Sequence, residues 1–500
     1  MKKTLLSAIF CIVAFLSTGQ PIGKLFFNPI SAGNNINIVR FDPVTGFHVT
    51  CSHPAANSVH FALTDMTVMT DIFVAKGFTV KDFEIIDRLV FFCGATTSGS
   101  GLIGWFDIDS LFHHGGGAYI DATLSTYGLE SLDKIELFYD QEGVIHVAGY
   151  GTSSYPYTPP YPYCSPMFLA FEAVGTPATG MQYRTLQLEN NACFSDVVDM
   201  TVTDNYVVYL EWQRSQECYD HYGLGVILQP FPKYNMFAST PFPYFYFQTV
   251  NIINLGYAGD TYIVPLNDDP HFAEPRITHI QDDEVAVCSF RRNFNVTYWP
   301  YSLTCPSCQM PLVETYLALR TYDLSPMLFN NTVLMTAASI AEINPDIVSS
   351  IDGFRYDAPS NHFVALYRHK NPSNVFEHAV TTVDYSLGIF PSSASSFYQT
   401  AHNTTTQWIP CSLCMSGGNE YTVSGYYTAL NKEYTFWRNN ITSPVLGRCD
   451  KNLKNPMLPI DTYIAKTEIN YHLPTAWFPL AFPYTPQGGK TIHETAIICE

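Results

Sequence analysis

Most of the chain reads as short stretches in which apolar and polar positions alternate, separated by clusters of Gly, Pro, Asn and Asp. Alternation with a period of two belongs to a strand with one buried face, and the clusters supply the turns between strands. Thr332 to Ile343 is the best stretch for a helix, with apolar residues at helical spacing. The expected fold class is all-β.

The strands recur as a unit. A first strand, a tight polar turn and a second alternating strand that often ends in Gly or Cys are followed by a variable loop and a third strand. Phe83 to Gly94 with Gly101 to Ile108 is the clearest copy, and Lys134 to Gly149 with Met167 to Glu172 is the next. Val197 to Leu210 with Gly223 to Leu228, Arg276 to Cys288 with Tyr316 to Asp323, and Ile351 to Leu366 with His378 to Asp384 keep the same order. Weaker copies stand at Ile38 to Leu63 and Ile409 to Trp437. A hairpin plus a third strand cannot cover both of its faces, so such units must stack along a line or around an axis. Antiparallel units with long irregular loops favour the axis. The expectation over residues 20–500 is a single β-propeller of seven blades, with six or eight as alternatives. Closure should join the chain ends, so Tyr463 to Ile469 or Thr491 to Ile498 is expected to add a strand near Ile36 to Val49.

The first residues change the setting. Met1-Lys2-Lys3, an apolar run from Leu5 to Leu16 and Ser17-Thr18-Gly19 have the order of a secretory signal peptide over residues 1–19, with cleavage before Gln20. That run is shorter than the roughly 20 residues a spanning helix needs, and no later stretch reaches such a length free of charge or proline. The expectation is export to the periplasm, the cell surface or the medium, with no transmembrane segment. The repeat, the Cys93-Gly94 strand end, the phrase Gly104-Trp-Phe-Asp-Ile108 and a signal followed by Gln20 resemble an uncharacterised group of exported β-propeller proteins of gut Gram-negative anaerobes, over most of residues 30–440. The resemblance implies fold and export, and it carries over no catalytic residue.

Composition narrows the partners. Lys and Arg number 25 against 44 Asp and Glu, a net charge of −19, which repels nucleic acid and anionic lipid. Aromatic residues, at 15%, outnumber charged ones, at 14%, so Tyr, Asn, Ser and Thr must cover much of the surface, as suits neutral polar ligands. Of 13 cysteines, Cys11 leaves with the signal, and an even number remains in an exported chain. Structural disulfides are the leading expectation and buried free thiols the second. Cys305 with Cys308 and Cys411 with Cys414 also have the spacing of a zinc knuckle or a redox pair.

Candidate chemistry is sparse. His113-His114-Gly115-Gly116-Gly117 resembles an esterase oxyanion loop, but no Gly-x-Ser-x-Gly elbow accompanies it, so a glycine-rich loop is expected there. Asn267 to His271 and Gln281 to Glu284 gather oxygen ligands without the spacing of a calcium loop, and the second coincides with a hairpin turn. No catalytic residue, metal ligand or cofactor is assigned. Three segments alternate Pro with aromatic residues: Tyr155 to Tyr163, Gln229 to Phe247 and Trp477 to Tyr484. Such rings either cap gaps between units or stack on a partner. Tyr155, Tyr157, Tyr161, Tyr163, Phe242, Tyr244, Tyr246 and Trp477 carry the binding reading, on the premise that proline at alternate positions bars these segments from a sheet. The leading functional expectation is a non-enzymatic propeller that binds a glycan or protein partner. A carbohydrate-active hydrolase or lyase with its site at the axial opening is the alternative, favoured if facing carboxylates line that opening, and a scaffold subunit is the third.

Overall fold

The computed structural model describes residues 22–26, 38–53, 57–65, 69–109, 118–153, 167–176, 180–188, 195–213, 225–233, 242–249, 274–294, 312–324, 332–336, 341–343, 347–370, 376–385, 397–402, 408–427, 432–442, 450–453, 462–472, 478–479, 482–484 and 491–492. Within them the chain is all-β, apart from one 3-10 turn at Leu124–Tyr127 and the two residues Ile108 and Asp109. The signal-peptide residues 1–19 lie outside the described set.

The strands form seven antiparallel sheets, each built around the strands of one sequence unit. In chain order their first strands are Ile38–Phe41, Phe78–Ile86, Ser131–Tyr139, Ser195–Val202, Arg276–Gln281, Ile347–Asp357 and Trp408–Gly417. Each first strand packs against the first strand of the next sheet, and that of the seventh packs against that of the first. The cycle therefore closes around an axis lined by first strands, a β-propeller arrangement.

Packing between sheets explains the sequence pattern. On Leu89–Thr96, Phe92 joins the apolar cluster shared with the first sheet, while its neighbour Phe91 joins the cluster shared with the third. On Tyr206–Gln213, Tyr209 and Val208 divide in the same way between the third and fifth sheets. Successive side chains of a strand point to opposite faces. A strand covered on both faces therefore reads as a continuous apolar run, and each sheet depends on both neighbours for its burial.

First strands carry bulges, between Val80 and Asp82, Leu132 and Lys134, Val197 and Asp199, and Pro410 and Ser412. Opposite three of them stand Gly94, Gly151 and Gly425. A β-carbon on Gly94 would lie 1.9 Å from the Thr79 carbonyl oxygen, and one on Gly151 2.0 Å from that of Ser131. The glycines near the ends of second strands are thus imposed by the bulge across from them. Gly94→Ala should cost about 1–3 kcal/mol by overpacking, read as a lower urea midpoint at unchanged m-value; an unchanged midpoint would contradict this account.

The outer edges hold the departures from expectation. Ile22–Phe26 pairs with Lys432–Asn440 and completes the seventh sheet, so the N-terminal segment, not the C-terminal one, closes the ring. The chain beyond the seventh sheet returns along the perimeter. Asp450–Leu453 joins the sixth sheet, Thr462–His472 the fourth, Phe478–Pro479 the third, Phe482–Tyr484 the second and Thr491–Ile492 the first. Of the two segments expected near the N-terminal unit, Thr491–Ile492 reaches the first sheet while Tyr463 to Ile469 sits on the fourth. These additions cover strand edges that would otherwise offer unpaired N–H and C=O groups. Where a helix is expected, the described residues Thr332–Thr336 and Ala341–Ile343 are edge strands, their helical spacing overridden by pairing with Thr462–His472 and Leu312–Asp323.

Candidate functional site at the axial opening

A bulge re-aims the side chain that follows it, and here it delivers charge to the junctions between first strands. Arg40 of the first sheet meets Asp82 of the second, its Nη2 donating to Oδ1 at 2.7 Å. Lys134 of the third sheet donates to Asp199 of the fourth. Asp82 Oδ2 also accepts the Ile135 N–H at 3.3 Å, and Asp199 Oδ2 the Ile277 N–H at 2.9 Å. Arg276 of the fifth sheet acts on Asp199 and on Asp352 of the sixth. Cation and carboxylate thus alternate around six sheets. Seven cannot alternate completely, and the seventh supplies the neutral Ser412, whose hydroxyl accepts the Val39 N–H at 3.3 Å. Burial alone would raise the Asp199 carboxyl, but the charges of Lys134 and Arg276 outweigh it and hold that group below the usual range.

The same first strands carry a second set of charges. Arg40 Nε donates to Glu84 Oε1 at 2.7 Å, so one guanidinium holds two carboxylates of the second sheet. Burial works to lower the Arg40 pKa and is outweighed by Glu84 and Asp82, leaving it above its ordinary value. Glu136 of the third sheet is bonded differently. Among the described residues it accepts no hydrogen bond, and its ion-pair partner is the Lys134 ammonium at 3.9 Å. Burial, and next the negative charge of Glu84, push its carboxyl up to about 7, against the pull of Lys134 and Arg355. Arg355 belongs to the sixth sheet, so Glu136 is addressed across the axis as well as by its neighbours. Burial likewise lifts Asp82 to about 6, against the pull of Arg40, and Asp352 to about 6. Burial thus raises three carboxyl groups of the first strands, those of Asp82, Glu136 and Asp352.

The thiol of Cys414 also senses Arg40 and Arg355, but burial pushes it up to about 12, so it stays protonated. Cys51, Cys93, Cys288, Cys411 and Cys414 are all free cysteines. The disulfide expectation fails for these five. Cys51, Cys93 and Cys288 sit singly on the second strands of separate sheets, and Cys411 and Cys414 are not joined to each other. Burial raises the thiols of Cys51, Cys93 and Cys288 well above their usual value, which withholds the thiolate that metal binding or exchange requires.

Other sequence candidates are placed as follows. Tyr155, Tyr157, Tyr161, Tyr163 and Trp477 lie outside the described residues, as do His113 to Gly117, Asn267 to His271 and Cys305 to Cys308. Phe242, Tyr244 and Tyr246 fall on the strand Phe242–Thr249, which pairs on both sides. The premise that proline keeps this segment out of a sheet is therefore corrected. Pro230 and Pro232 have the same parity, so their missing N–H groups face one neighbour, and pairing with Phe242–Thr249 stops at Leu228, before them. Phe231 between them is 1% exposed and packs edge-on against Tyr209, so it belongs to the core. Asp283 turns out to tie two sheets: it accepts from the Thr203 hydroxyl at 2.9 Å and from the Asn205 backbone and side chain at 3.0 and 2.8 Å. Among the described residues no three metal-ligating side chains gather, and no helix is long and apolar enough to cross a membrane.

On the third sheet, His146 lies between Glu172 and Asp140, at 3.1 Å from each, and stacks on Phe138. Burial alone would lower its pKa, but bonds to and charges of Glu172 and Asp140 outweigh it, and the pKa is raised. A raised folded value gives stability that is fully present below the unfolded value of about 6.5 and lost as pH rises through the folded one. His146→Gln should therefore cost about 2 kcal/mol at pH 6 and less at pH 9, measured by urea unfolding; equal losses at both values would contradict the ion pair.

No protein-family model matches the chain, and no curated protein matches it significantly. Solved structures do. One is a glycoside hydrolase family 43 arabinoxylan arabinofuranohydrolase from Bacillus subtilis in complex with cellotetraose, at 11% identity and a TM-score of 0.27, covering 94% of this chain and 96% of that one. Another is a GH43 glycoside hydrolase engineered to show both endo-xylanase and exo-arabinofuranosidase activity, at 11% identity and a TM-score of 0.16, covering 91% and 100%. Both are glycoside hydrolases. At these scores the likeness carries neither a blade number nor an activity to this chain.

Proposed function

We propose that this chain is a carbohydrate-active hydrolase that cuts a glycosidic bond at the axial opening. Glu136 is the proton donor and Glu84 the partner carboxylate. The observation that supports this is the unequal pair itself: Glu84 is fixed by Arg40, while Glu136, which feels its charge, accepts no hydrogen bond among the described residues and is raised to about 7. Glycoside hydrolysis needs two carboxyl groups in different protonation states, one to protonate the leaving oxygen and one to act on the anomeric carbon or on the incoming water. As the C–O bond breaks, the Glu136 proton passes to the leaving oxygen, and water supplies hydroxyl to carbon and returns a proton. Two carboxylates on neighbouring first strands, one held by Arg40 and one not, support this reading over a purely binding propeller.

The finer parts of the proposal follow from it. Each sheet is taken as one blade, giving a ring of seven. Tyr155, Tyr157, Tyr161, Tyr163 and Trp477 act as stacking faces for the same glycan, and export by the residue 1–19 signal places the protein where polysaccharide is found. The test is reducing-end release from a panel of plant and bacterial polysaccharides by the purified full chain. New reducing ends support hydrolysis; retention on a glycan without cleavage across the panel would return the protein to the binding reading.

A further inference from the structure

We propose that the glycan taken at this opening carries an oxyanion substituent, a carboxylate or a sulfate, and that Arg355 recognises it. The inference rests on the axial site described above. The other first-strand cations there are engaged: Arg40 holds Asp82 and Glu84, Lys134 holds Asp199, and Arg276 meets Glu274 at 3.2 Å and the Val198 carbonyl at 3.1 Å. Arg355 differs. Its Nη1 donates to the Phe354 carbonyl at 3.1 Å, and among the described residues no carboxylate lies within ion-pair distance of it.

Glu136 interacts with Arg355 electrostatically from across the ring, but among the described residues no ion pair joins the two. A guanidinium presents five N–H donors in a planar fork that fits the two oxygens of a carboxylate or two of a sulfate. In a chain of net charge −19 such a cation is a local feature and not part of a basic surface. A neutral sugar leaves most of its donors to water, whereas an anionic one gains a charge-assisted pair.

The experiment is equilibrium binding by calorimetry with two matched probe pairs: a galacturonic acid tetramer against its methyl ester, and a sulfated galactan tetramer against its desulfated form. The wild-type chain should prefer the charged member of at least one pair by about tenfold, and which pair shows it identifies the anion. Arg355→Gln should bring that ratio close to one, and Arg355→Lys should keep part of it. Should Arg355→Gln melt early, the wild-type ratio and the lysine variant still decide. Equal affinity within both pairs, or a preference that survives Arg355→Gln, overturns the proposal. Anion preference without any bond cleavage would leave it standing while removing the hydrolase reading, and cleavage of neutral glycans with no preference would do the reverse.

Discussion

Glu136→Gln should lower kcat for glycoside cleavage by about 10²–10⁴, the range associated with loss of a general acid, and change KM little. A donor must start protonated. Wild-type activity should therefore fall as pH rises through about 7, and this basic limb should vanish from whatever activity the variant retains. Stability supplies an independent sign. The folded pKa of Glu136 is raised above the unfolded value, so above pH 7 the folded chain holds a charge that water would hold more favourably. Glu136→Gln should be as stable as the wild type at pH 8, or more so. Activity lost together with stability would mark Glu136 as a structural group instead.

Breaking the charge belt should have the largest effect on folding. The Asp199 side chain is 3% exposed, and Lys134→Met would leave it buried without its closest cation. Removing one partner of a buried pair costs about 3–5 kcal/mol, whereas exchanging both for apolar groups of similar volume is often nearly neutral. Lys134→Met should thus shift the urea midpoint strongly, and Lys134→Met with Asp199→Leu should recover most of the loss. The lowered folded pKa of Asp199 fixes the pH sign. Its contribution is present above the unfolded value of about 3.9 and disappears as pH falls through the folded one, so wild type and Lys134→Met should converge in acid. A single variant that unfolds like the wild type at pH 7 would mean that the belt does not hold the sheets together.

The repeat was legible because core-making strands advertise themselves. Phe91 and Phe92 point into different clusters, and each run of that kind marks a second strand with a sheet on either side. The fourth strands were not. Ala118–Asp121 has Tyr119 40% exposed, and Ala341–Ile343 has three residues, too few for a period to show. Proline misled for a physical reason: its missing N–H bars pairing on one side only, and Pro230 and Pro232 place that loss on the side where pairing has already ended.

The site was hidden differently. Glu84, Glu136 and Arg355 come from three units, and in isolation each is an ordinary polar position on an alternating strand. Only the ring brings them to one axis. A signal was nevertheless present in the repeat. Asp82, Lys134 and Asp199 occupy the same place beside a bulge, with alternating sign, which a sequence needs only if neighbouring units meet there. Pairing of that kind identifies a contact but not a reaction, and Glu136, whose ion-pair partner among the described residues is Lys134 of its own strand at 3.9 Å, stands out once the contacts have been assigned.

Chemistry on the axis is tested by a crystal structure of the Glu136→Gln chain soaked with an oligosaccharide that the wild type cleaves. The account predicts a glycosidic oxygen within hydrogen-bond distance of the amide introduced by that substitution, with Glu84 beside the anomeric carbon and Arg355 across the opening. A sugar bound only on the outer rim, with the axial charges untouched, would contradict it.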